Sequence, residues 1–233
     1  MYFGRKLMDG EYMTRICAVA NNERIVLSAD SLFTNSETKE KTTDNIKIAY
    51  NNQMIVGLLG AIEIFTSLGN VSIRSYIQDY LNNTEDCGLN LMNHLISYIK
   101  DFYQIYQVHL PTYYIFLYRE GSKFYMWYCT IYYSNETFGE NRVVLEYPLN
   151  PINSENKEKY VFENYMMVAG DGLPTNPIIE RIDDDLLMKR ANIVVKQAIM
   201  DDNIPTVGGQ IYTVELDKDG YTKTYIDGKA IKW

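Results

Sequence analysis

The chain has 233 residues, 46% of them hydrophobic and 22% charged, enough for one large domain with a substantial core. Its net charge of −8 argues against nucleic acid and anionic membrane as partners, since both need a basic footprint. Three scattered cysteines without a CxxC pair, and only two histidines, exclude a disulfide framework, a histidine-based metal site and a Ser-His-Asp triad.

Taken in chain order, residues 1–13 are mixed and polar, with no signal-peptide pattern and no apolar run of membrane length behind them. A cytoplasmic protein is expected. Residues 15–21 and 24–30 run apolar around Asn21-Asn22 and predict a hairpin. Residues 31–44 form a polar loop. IKIAY at 46–50, a turn at Asn51-Asn52 and MIVGLLG at 54–60 predict a second hairpin.

The period then changes. Residues 61–82 read as a helix interrupted at Gly69-Asn70. Residues 89–107 read as another, with Leu91, Leu95, Ile99 and Phe102 on one face. Strands return at 112–119 and 123–133, with a short one in VVLEYP. YMMVAG at 165–170 leads through Asp171-Gly172 into a helical region striped by Leu187, Ala191 and Ala198. The carboxylates Asp183, Asp184 and Asp185 just before that stripe are expected to cap a helix N-terminus, not to hold a metal. QIYTVEL and YTKTYI close the chain as strands. Two hairpin systems, each with a one-sided helical block, predict an α+β fold: a four-layer αββα sandwich over a single domain from 14 to 233.

This order of elements resembles the proteasome β-subunit family and its HslV-type relatives, within the N-terminal nucleophile hydrolases. The likeness runs from Thr14 to about Ile226. It lies in the threonine-led strand, the SAD at 28–30, YNNQMIVGLLG at 50–60, AGDG at 169–172 and GGQIYTVELDKDG near the end. It implies a threonine peptidase that cuts peptide bonds through an acyl-enzyme, with no cofactor. It also implies a homo- or hetero-oligomeric ring, a polypeptide substrate and an ATP-dependent unfoldase as partner.

By the same likeness Thr14 matches the nucleophile, whose own α-amine acts as the base, Asp30 the aspartate, and Gly60 the oxyanion N–H donor. The family lysine aligns with Asn45. Lys47, two residues further and on the same strand face, is the shifted candidate. Either Lys47 reaches Asp30 or Asn45 leaves the site weakened. Asp171 stands where the family has a serine, and Asp202 matches a helix-terminal aspartate, with Thr206 or Val207 at a neighbouring serine position.

Thr14 is internal as written, and Met13 replaces the glycine that self-processing relatives carry. Initiation at Met13 followed by methionine removal would free it. Gly10-Glu11 must be encoded by GGN-GAR, which permits a ribosome-binding sequence just upstream, so residues 1–13 are expected to be a mis-assigned start or an extension. Two other outcomes stay open: an inactive scaffold subunit of the same kind, or a small-molecule amidase using the same N-terminal chemistry.

Overall fold

The structure is a computed structural model. It describes residues 14–34, 40–60, 63–66, 69–106, 112–121, 123–135, 141–146, 164–170, 178–182 and 186–231. In chain order the elements are β1 (Arg15–Ala20), β2 (Arg24–Asp30), β3 (Phe33–Thr34), β4 (Lys41–Thr42), β5 (Ile48–Tyr50), β6 (Met54–Gly60), β7 (Glu63–Thr66) and β8 (Gly69–Ser72). Helices α1 (Ile73–Asn83) and α2 (Gly88–Tyr106) follow. Next come β9 (Thr112–Glu120), β10 (Lys123–Asn135), β11 (Asn141–Glu146), β12 (Asn164–Gly170) and β13 (Ile178–Ile182). Helix α3 (Leu187–Ile199) precedes β14 (Ile211–Asp217), β15 (Thr222–Ile226) and β16 (Lys229–Ile231).

Two sheets carry the fold. One has seven strands in the order β13-β12-β1-β2-β14-β15-β16, the other five in the order β11-β10-β9-β6-β5. Their facing surfaces share one apolar core. Ile16, Leu27 and Val214 of the first sheet pack with Ile55, Leu59 and Leu117 of the second. Alternation along each strand puts the next residues on the opposite face. There Val56, Leu58 and Phe116 meet Ile77 of α1 and Leu95, Ile99 and Phe102 of α2. Cys17, Val19 and Val26 meet Leu187, Ala191 and Val195 of α3.

The expected four-layer αββα sandwich is corrected by this architecture. Among the described residues the protein is β-rich, with sixteen strands, antiparallel in their pairings, against three helices. Among the described residues one helix, α3, 13 residues long, packs on the seven-stranded sheet, chiefly on β1, β2 and β14. Part of the excess helix came from residues 61–72. The first turns expected to be helical are the hairpin β7–β8, in which Glu63 pairs with Ser72 and Thr66 with Gly69. Ile64, Phe65, Thr66 and Val71 favour extended backbone, which outweighs the apolar periodicity there. The helix begins only where Ser72 caps it, its side chain accepting from the Ser75 N–H at 3.2 Å. Strands β13 and β16 also lie where no strand was expected. The carboxylates Asp183, Asp184 and Asp185 lie outside the described residues.

Candidate functional site

The first hairpin brings the two ends of the site together. Asn21 Oδ1 accepts from the N–H groups of Glu23 and Arg24, both at 2.9 Å, and this side-chain turn sets the β1–β2 register. Ile16 then pairs with Ala29, so Asp30 at the end of β2 lies beside Arg15 at the start of β1. Thr14 directly precedes that start and is buried.

Asp30 is fully buried and gathers donors from three chain segments. Its Oδ1 accepts from the Arg15 N–H at 2.9 Å; its Oδ2 accepts from Gly208 N–H at 3.1 Å and Leu32 N–H at 3.3 Å. Lys47 Nζ lies 3.1 Å from each carboxylate oxygen and is itself only 1% exposed. A charge buried this deeply needs both a counter-charge and hydrogen bonds, and Asp30 has them.

Burial pushes the Asp30 carboxyl up from its ordinary value, opposed by Lys47 and by the Arg15 and Gly208 N–H groups. Burial likewise pulls the Lys47 ammonium down, opposed by Asp30. Desolvation leads in both directions because neither group keeps contact with water. The result is a buried lysine whose proton is held more loosely than that of a surface lysine, bonded to the same carboxylate as the first N–H of β1.

The sequence left Lys47 and Asn45 as alternatives, and the structure brings Lys47, not Asn45, to Asp30. Residues 44–47 are irregular ahead of β5, so the strict two-residue strand alternation does not apply to them. The Lys47 carbonyl accepts from Leu58 N–H at 3.0 Å, anchoring it to β6. Asn45 is tied elsewhere: its N–H donates to the Ser31 carbonyl at 3.2 Å and its side-chain amide donates to Thr42 Oγ1.

Gly60 ends β6, half-buried, with φ of +94°, a conformation that favours glycine. It lies two residues beyond Leu58, about 7 Å along the strand from the Lys47 bridge. Gly170 has φ of +126°, and a Cβ on it would fall 1.9 Å from the Thr14 carbonyl oxygen. That close approach is what lets β12 pair with β1 right up to Arg15. Its signal in the sequence was the first glycine of AGDG, which carried the family likeness but not a contact with Thr14.

The remaining expected residues separate. Asp171 lies outside the described residues. Asp202 is exposed in the turn after α3. Val207 is buried, and Thr206 Oγ1 is buried with no hydrogen-bond partner among the described residues. The group in this loop that bonds Asp30 is instead the Gly208 N–H, which sequence reasoning missed. Ser31 was missed too: its Oγ donates to the Thr43 carbonyl and accepts from Gln210 N–H at 2.7 Å, clipping three loops together beside Asp30.

Among the described residues no group of three or more His, Cys, Asp or Glu side chains could hold a metal ion, and no helix is long and apolar enough to cross a membrane. No protein-family model matches the chain, and no curated protein matches it as a relative.

Proposed function

We propose that this protein is a threonine-type hydrolase in which Thr14, once it is the first residue of the mature chain, is the nucleophile. The observation that carries the reading is the buried Lys47–Asp30 pair at the head of β1, with both carboxylate oxygens engaged at 3.1 Å. It rests on these residues and their spacing, not on the overall architecture.

The chemistry follows from the groups. The Thr14 hydroxyl attacks a peptide carbonyl, and its α-amine, with an ordinary pKa near 7.7–8.0, takes the proton. The Lys47 ammonium, fixed by Asp30 and buried with it, stabilises the developing charge around the hydroxyl. The Gly60 N–H is the donor assigned to the tetrahedral oxyanion. The protonated α-amine then hands its proton to the departing peptide nitrogen as the C–N bond breaks, leaving an ester on the Thr14 oxygen. Water, deprotonated by the same amine, cleaves that ester, and the amine returns the proton to the Thr14 oxygen. Polypeptide substrate, a ring assembly and an ATP-dependent unfoldase belong to the same proposal, by resemblance.

The test begins with protein made from Met13, its N-terminus checked by sequencing. It is then treated with an epoxyketone or β-lactone, and its intact mass is read. An adduct on Thr14 that is lost in Lys47→Ala and kept in Asn45→Ala is the expected outcome. Absence of any adduct on a confirmed Thr14 terminus would sink the hydrolase and favour the inactive scaffold subunit. Cleavage of simple amides but not peptides would favour the amidase.

A further inference from the structure

A cavity lies away from Thr14, where β5, the edge strand of the five-stranded sheet, sits under β14 and β15 of the other sheet, with α1 as its third wall. It measures about 380 Å³. Sites that enclose small molecules start at about this size. Its apolar lining includes Ile48, Val214, Tyr212 and Tyr225, and among the described residues Arg74 is its one charged lining residue.

Arg74 is unusual in three ways. It is the second residue of α1, where the helix dipole disfavours a cation, and the first turn of α1 carries no acidic residue to offset it. It is half-buried, and burial pulls its guanidinium down from its ordinary value, opposed by Tyr50 and Asp79. Its bonds go to neutral acceptors: Nε donates to the Ile48 carbonyl at 3.0 Å and Nη2 to Gln78 Oε1 at 3.4 Å. Among the described residues it forms no salt bridge, and the described lining of the cavity it borders holds no carboxylate.

Gln78 makes the wall rigid. Its Nε2 donates to the Tyr50 carbonyl at 2.8 Å, and its Oε1 accepts from the Tyr50 N–H at 3.1 Å. The side-chain amide thus occupies the free edge of β5 as a neighbouring strand would. An added peptide strand is therefore excluded there, while a compact ligand is not.

The geometry points to a binding site for a small amphipathic anion: one carboxylate or phosphate head against Arg74, and a flat apolar body between Val214, Tyr212 and Tyr225. The head completes the guanidinium's hydrogen bonding with charge assistance, and the body replaces water against apolar walls. The site is independent of Thr14 chemistry.

Calorimetric titration of the full chain with 3-phenylpropionate, phenyl phosphate and the neutral 3-phenylpropanamide tests this. At least one anion should saturate at a single site, with the amide about tenfold weaker or more. Whichever anion binds more tightly identifies the head group. Arg74→Gln should weaken the anion about tenfold, to the level of the amide. Thr222→Trp, which fills the cavity and leaves Arg74 in place, should abolish binding, and it decides the matter alone if Arg74→Gln does not fold. Failure of both anions to saturate overturns the site. So does anion binding unchanged in either variant.

Discussion

Two cations flank β5, and their surroundings differ in kind. Lys47, just before the strand, is sealed from water and held by a carboxylate that itself accepts three backbone N–H bonds. Arg74, across the strand's free edge, leans on a carbonyl and a side-chain amide and keeps partial contact with solvent. The first is a charge whose neutralisation is complete inside the protein. The second is a charge whose hydrogen-bond acceptors are neutral groups. A buried pair of the Lys47 kind is costly to break because each partner strands the other in a low-dielectric interior. A half-solvated guanidinium loses much less when it is removed.

Lys47→Met breaks the comparison at its strong end. It leaves Asp30 buried without a counter-charge and should lower unfolding free energy by about 3–5 kcal/mol. Lys47→Met combined with Asp30→Asn should recover much of that loss, measured by urea denaturation. A single variant within about 1 kcal/mol of the parent would show that water reaches the pair. Gly170→Ala tests the backbone beside the same site. A Cβ 1.9 Å from the Thr14 oxygen, at φ of +126°, should cost about 3 kcal/mol and abolish Thr14 labelling. At the weak end, Gln78→Ala uncaps the β5 edge and should cost about 1–2 kcal/mol, with self-association appearing in sedimentation.

Alkali sharpens the contrast between sealed and open regions. Burial pushes Tyr103 and Tyr118 from 10 up to about 12, and Cys17 from 9 up to about 12. The folded state keeps these groups protonated while the unfolded chain ionises, so their contribution is fully present below about pH 9 and is lost as pH rises toward 12. Unfolding midpoints in urea should therefore fall across that window; a flat profile there would show that these groups are solvated. The smallest effect is on reactivity alone. At pH 8, iodoacetamide should label exposed Cys87 and spare Cys17 and Cys129 in native protein, as read by peptide mass.

Much of the site was readable along the chain because it is built from local pairings. Asn21-Asn22 between two apolar runs is a turn with a mechanism, and the hairpin it closes puts Asp30 beside the residue after Thr14. The stripe from Leu91 to Phe102 likewise announced α2, since its 3.6-residue period needs no distant partner. Residues 61–72 failed for the opposite reason. Their apolar spacing fits a helix about as well as a hairpin, and the β7–β8 pairing decides it.

Sequence alone therefore determined the candidate nucleophile, its aspartate and the order of the main elements, because these depend on neighbours a few residues apart. Tertiary structure decided which residue reaches Asp30, since the choice between Asn45 and Lys47 depends on how an irregular segment docks on β6 and Ser31. It also decided how far the helices cover the sheets, which periodicity cannot state. Only the packing of β5 under β14 could bring Arg74 from the start of a helix to a cavity lined by residues more than a hundred positions away. Contacts of that range are set by the fit of whole faces, and no local pattern encodes them.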